Sequence, residues 1–237
     1  MSESSARTNW ARTDHRDFES LWSMIHRFCR INLVSPVDIL DDLRDYSRFE
    51  EPVLHFDLRE PTWIDQEIAC GLLALSERDY RRGLHAHYSC DPSDGIFDIV
   101  VARSVRLCLS CAACGFHSPM YDLLYFNRCP IHCEPFIDKC PRCSRKISFH
   151  PPRRGTMGYS CLCGYSFTLI GAMPLPTDYS DRLRRAEQWT RGVWRSLVVK
   201  VARLRANGSN STKENVSVAL SEFSPSENWF VDTGMPL

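Results

Sequence analysis

Eight residues in the middle of the chain fall into four close pairs: Cys108-x-x-Cys111, Cys129-x-x-His132, Cys140-x-x-Cys143 and Cys161-x-Cys163. Seventeen residues separate the first pair from the second (112–128) and the third from the fourth (144–160). A short spacer lets one turn present two donors to the same ion, and zinc takes four thiolate or imidazole ligands. The spacing therefore predicts two structural Zn2+ sites in succession, one of three cysteines and a histidine, the other of four cysteines. Sequential pairing needs the shorter loop closures, while an interleaved set joining the first and third pairs stays open. So does the register of the first site, because Cys111-Ala-Ala-Cys114-Gly115 is also a two-donor turn and Cys114 can replace Cys108. Cys133 adjoins His132. Cys29, Cys70 and Cys90 are expected to be buried as small apolar side chains.

The 237 residues, 43% of them hydrophobic, suffice for a real core around such sites. Twelve cysteines without a recognisable signal peptide point to a reducing compartment, where paired cysteines bind metal more often than they form disulfides. The expected location is the cytoplasm, and no apolar run is long enough to span a bilayer. Net charge is zero but divided. Residues 1–102 hold 11 Lys/Arg against 19 Asp/Glu, whereas residues 103–165 hold 9 against 3. An acidic front and a basic middle imply different partners for the two parts.

Periodicity and capping signals divide the chain into a flexible start (1–17), a helical part (18–103), a tandem metal module (104–171), a basic amphipathic helix (172–206) and a flexible polar tail (207–237). In the helical part, Phe18, Leu21, Trp22, Ile25, Phe28 and Cys29 recur at helical spacing and predict one apolar face. Ser35-Pro36-Val37-Asp38 opens a second helix running to about Tyr46. Thr62-x-x-Asp65 opens a third, and Ser76-x-x-Asp79 a fourth that ends near His87. The third and fourth resemble a helix-turn-helix unit. In the last helix, Leu183, Ala186, Trp194, Leu197, Val201 and Leu204 form an apolar stripe, ended by Asn207-Gly208. The fold class expected is mainly α, with a small irregular or β zinc-ribbon-like module.

No catalytic residue is predicted. His132-Cys133-Glu134 before Cys140-Pro-Arg-Cys143 superficially matches a zinc deaminase pattern, but the second pair follows too soon and both sites can be filled by four protein ligands. Arg128, Arg142, Arg145, Lys146, Arg153 and Arg154 decorate the metal module and are expected to contact a nucleic-acid backbone. Tyr121, Tyr125, Phe126, Phe149 and Tyr159 lie among them, either stacking on nucleic acid or filling a small core.

Cys108-x-x-Cys111-x-x-x-Gly115-x-His117 followed by Cys129-Pro-Ile-His132-x-x-Pro135-Phe136-x-x-x-Cys140-Pro-Arg-Cys143 resembles the TniQ family. The segment from Glu19 to Asn32, ESLWSMIHRFCRIN, is similar to that family's opening helix, and Ala74-Leu75-Ser76 with Leu84 falls where the family has another helical segment. The resemblance covers roughly residues 18–165. It implies a DNA transposition protein: a non-enzymatic adaptor linking target DNA, or a target-finding complex, to the AAA+ ATPase that regulates a transposase. The zinc ligands carry over onto the eight residues above. Expected partners are that ATPase, DNA and a second copy of the chain, with no membrane. The alternatives are a stand-alone zinc-dependent DNA-binding transcriptional regulator, or a protein-interaction module with structural zinc.

Overall fold

The computed structural model describes residues 9–10, 15–47, 57–59, 61–88, 96–150, 158–169, 174–206, 214 and 216. Among them the fold is mainly helical, with isolated antiparallel bridges in place of strands. The helices are α1 (Leu21–Asn32), α2 (Pro36–Asp42), α3 (Gln66–Leu72), α4 (Glu77–Arg82), α5 (Phe97–Val100), α6 (Leu109–Ala113) and α7 (Tyr179–Ala206). The polar tail, the Asn207-Gly208 stop and Cys90 lie outside the described residues.

The caps explain the starts. Ser20 accepts from the backbone N–H of Ser23, Ser35 from Val37 and Ser76 from Asp79. The third cap is Asp65 and not Thr62: its carboxylate accepts from the N–H groups of Glu67 and Ile68. Two helices stop earlier than the sequence pattern predicts, and tertiary contacts account for both. After α2, the Asp45 N–H donates to the Trp63 carbonyl and Arg44 bridges Ile64, so the chain leaves the helical path. After α4, the Gly83 carbonyl accepts from Leu21 N–H at 2.9 Å. A side chain there would meet Met24 and the Glu19 carbonyl. The chain then makes one 3-10 turn, His85–His87.

The metal-ligand loops are built into the core of the molecule. One buried cluster joins Phe97, Val100, Cys108, Cys111, Phe116, Tyr121 and Cys129 to Leu183, Ala186, Trp194, Leu197 and Val201 of α7. The other joins Leu21, Ile25, Phe28, Leu40 and Leu73 to Cys140, Ile147, Phe149, Tyr159 and Phe167. Burying each of the larger apolar side chains contributes roughly 1.5–3 kcal/mol. The aromatic residues of the basic module therefore belong to the core: Tyr121, Tyr125, Phe126, Phe149 and Tyr159 are all buried.

Helix α1 is enclosed on both sides. Leu21, Ile25 and Phe28 share a buried cluster with α2, while Trp22, Ser23 and His26 meet the metal module. Ser20 N–H donates to the His117 carbonyl at 2.8 Å, and Ser20 Oγ meets His117 Nδ1 at 2.7 Å. Glu19 pairs with Arg27 at 2.6 Å and accepts from Ser23 Oγ. Tyr159 N–H donates to His26 Nδ1 at 3.0 Å. Against this face an ideal Cβ on Gly158 would stand 1.8 Å from the His26 carbonyl oxygen and 2.7 Å from its carbon. Both obstacles are backbone, so neither can swing aside. Gly158→Ala is expected to destabilise the fold by about 1–3 kcal/mol, the usual cost of overpacking. An unchanged urea midpoint would contradict this packing.

Candidate metal centres

Three of the four pairs sit on turns of a similar kind, the fourth pair's being one residue shorter. In the second pair, Cys129 N–H donates to the Glu134 carbonyl, Cys133 N–H donates back to the Cys129 carbonyl, and Cys133 adopts a left-handed φ of 57°. In the third pair, Cys140 N–H meets the Arg145 carbonyl, Ser144 N–H meets the Cys140 carbonyl, and Ser144 also has φ 57°. In the fourth, Cys161 N–H meets the Tyr165 carbonyl and Gly164 takes the left-handed position at φ 81°. Only this last position has the residue that adopts such a φ at no steric cost. Short bridges brace the turns: Arg128 with Pro135, Lys139 with Lys146, and Ser160 with Ser166. The first pair differs. Cys108 is the N-cap of α6 and Cys111 lies inside it, one helical turn on.

These turns bring the eight predicted residues together as two sequential groups. In the first, Cys108, Cys111, Cys129 and His132 place their donor atoms within 4.8 Å of one another, and Cys140, Cys143, Cys161 and Cys163 do the same in the second. Interleaving is thereby excluded. The register question also has an answer, because Cys114 stands outside the first group and points its thiol at the Ser110 carbonyl at 3.3 Å. Cys133 is the left-handed residue of its turn and no ligand.

The donor spacing fits a tetrahedral ion. Sulfurs at about 2.3 Å from zinc must lie about 3.75 Å apart, whereas a disulfide would bring two of them to about 2.05 Å. The separations are 3.7 Å for Cys111–Cys129, 3.7 Å for Cys140–Cys163 and 3.6 Å for Cys143–Cys161. His132 Nδ1 lies 3.4 Å from Cys108 Sγ and 3.2 Å from Cys111 Sγ. Each group could therefore hold one metal ion.

Surrounding groups polarise the first set of donors. Burial pushes the Cys111 thiol well up, and hydrogen bonds shared with Cys108 and Cys129 add to the effect. Burial presses Cys129 in the same direction. Hydrogen bonds from Cys108 and Cys111 and the N–H groups of His132 and Ile131 outweigh it and hold Cys129 well below the usual thiol range. Tyr121 Oη lies 3.1 Å from Cys111 Sγ. Glu134 accepts from Ser110 and sits 3.3 Å from Cys108 Sγ, which occupies the carboxylate singled out by the deaminase-like pattern. These outer contacts escaped sequence reasoning. His117 was visible as part of the Cys-rich motif, but it serves as a partner of Ser20 and Asp122 and not as a ligand.

Among the basic residues, Arg128, Arg142, Arg145 and Lys146 are exposed, while Arg153 and Arg154 lie outside the described residues. Two of the four also fasten a turn: Arg128 donates to the Cys133 carbonyl at 3.0 Å and Arg142 to the Cys163 carbonyl at 3.2 Å. No helix among the described residues is long and apolar enough to cross a membrane. No protein-family model matches the chain, and none of the curated proteins matches it.

Proposed function

We propose that the chain is a TniQ-like DNA transposition adaptor, held together by two structural zinc ions, that links target DNA or a target-finding complex to the AAA+ ATPase regulating a transposase. The observation carrying this reading is the pair of sequential four-donor groups, built on the Cys-Pro-x-His and Cys-Pro-x-Cys turns of the TniQ-like motif, with exposed cations around them. Zinc suits tetrahedral sets of three cysteines with a histidine and of four cysteines. Four protein donors leave such an ion no open position for a substrate. Ligation then serves folding, and function rests on surfaces. The acidic helical part, including the helix-turn-helix-like pair α3–α4, is the docking unit for the ATPase. The zinc-ribbon-like module supplies phosphate contacts.

The test is reconstitution. Full-length zinc-loaded protein, a duplex and the AAA+ ATPase encoded beside it should co-elute as one complex. Absence of association with the ATPase, with or without DNA, contradicts the adaptor reading. Arg145→Glu with Lys146→Glu should weaken duplex binding and lower the slope of log affinity against log salt by about 1.8, at about 0.9 for each phosphate no longer neutralised. An unchanged slope removes these two residues from the interface.

A further inference from the structure

A cavity of about 230 Å³ opens between α1 and the second metal loop. Trp22, His26 and Tyr159 form its buried walls, and Arg145, Lys146 and Ser148 its exposed lip. The Trp22 ring stacks on His26 with centroids 4.2 Å apart and donates its Nε1–H to the Ser148 carbonyl at 3.3 Å. The metal ligand Cys161 also lines the cavity, so its shape depends on the second metal group.

His26 is 3% exposed and carries an unanswered donor. Its Nδ1 accepts the Tyr159 N–H, which places the ring proton on Nε2. That Nε2 is buried with no hydrogen-bond partner among the described residues. Burial, and next the charge on His117, hold the imidazole neutral with a pKa of about 3. A buried donor left unmatched costs about 1–3 kcal/mol, and native folds retain few of them without a reason. An acceptor on a bound ligand supplies one. The lip adds two cations that form no ion pair among the described residues.

We infer that this cavity receives a single unstacked nucleobase, whose carbonyl oxygen accepts from His26 Nε2 while the adjoining phosphates lie on Arg145 and Lys146. Aromatic walls offer a stacking surface to any base, the lone donor selects a ring bearing an acceptor, and the cationic lip suits the strand that carries it. The inference rests on the nucleic-acid contact proposed for the metal module and adds to it the form of DNA preferred: a distorted or partly opened duplex.

The experiment compares two duplexes of equal length at one salt concentration, one fully paired and one with a single extrahelical thymine, by fluorescence anisotropy with the full zinc-loaded chain. The bulged duplex should bind about tenfold tighter, the low end of what stacking one base contributes. Ser148→Phe, on the exposed lip, should fill the cavity and abolish that preference while leaving affinity for the paired duplex and the melting temperature unchanged. His26→Phe should also abolish the preference by removing the donor, but with a lowered melting temperature, because it strands the buried Tyr159 N–H. Equal affinity for both duplexes overturns the inference and leaves the proposed DNA contact standing. Binding of neither duplex overturns both. Displacement of the bulged duplex by an acidic aromatic peptide, and not by thymidine monophosphate, assigns the cavity to a protein partner and overturns the inference.

Discussion

Cys111→Ser is expected to unfold the chain and not merely to weaken one binding site. Cys111 is fully buried and belongs to the cluster that joins Phe116 and Tyr121 to α7. Structural zinc contributes about 10–16 kcal/mol of apparent binding free energy in small zinc-binding peptides. The net stability of a whole domain is only about 5–15 kcal/mol. On the proposed two-zinc reading, losing one ion would therefore remove as much as the fold has to spare, and the buried thiols left without a cation would add a desolvation cost. Chelation should act in the same way. Cys114→Ser is the control. That side chain is partly buried and its thiol donates to the Ser110 carbonyl, a bond that a hydroxyl can replace. Far-UV circular dichroism should show lost helicity for Cys111→Ser and none for Cys114→Ser. A Cys111→Ser protein with the parent spectrum contradicts this coupling of metal and fold.

Asp122→Ala should be the most damaging change away from the metal groups. The carboxylate is fully buried at the junction of three segments. Its Oδ1 accepts the Arg106 N–H at 2.8 Å, and its Oδ2 lies 2.8 Å from His85 Nε2 and 3.2 Å from His117 Nε2. His117 continues to Ser20, the cap of α1, so one side chain fastens the start of α1 and the 3-10 turn after α4 to the metal module. Removing it strands buried donors, for a cost of about 3–5 kcal/mol. Burial raises the carboxyl pKa, but the charge and hydrogen bond of His117, then those of His85, outweigh it and hold it at about 2. The folded value lies below the unfolded one near 3.8. The stabilisation is therefore present above about pH 4 and is lost as pH falls through 2, for about 2 kcal/mol in all. Urea titrations at pH 7 check the substitution, and a loss below about 1 kcal/mol would contradict the network's role.

What could be read from the sequence was local. The paired ligands, the Ser35-Pro36 and Ser76 helix starts and the stripe of α7 each depend on neighbours a few residues away, and each is present in the structure. What escaped depended on distant chain. Ser23 and His26 lie off the apolar face that periodicity picks out in α1, yet Ser23 meets Tyr159 and His26 accepts from its backbone, well over a hundred residues on. The aromatic residues among the arginines were equally ambiguous until the ligand loops were seen to fold against α1 and α7. α4 stopped at Gly83 because α1 claims that carbonyl, which no helix propensity contains. At the candidate metal groups, pattern picked out the donors but not their support: the left-handed backbone of Cys133 and Ser144 and the Arg128 bond to its own turn carry no signal in residue type, and Arg142 fastens the Cys163 carbonyl of a separate turn.

Whether the two closed, sequential four-donor groups each hold one structural ion is open to direct measurement. Native mass spectrometry of the full chain, with elemental analysis of the same sample, should find two zinc ions per chain, released by chelator together with the loss of helical signal. One ion or none in a folded chain, or two ions retained after Cys111 and Cys143 are both replaced by serine, would contradict the two-site architecture.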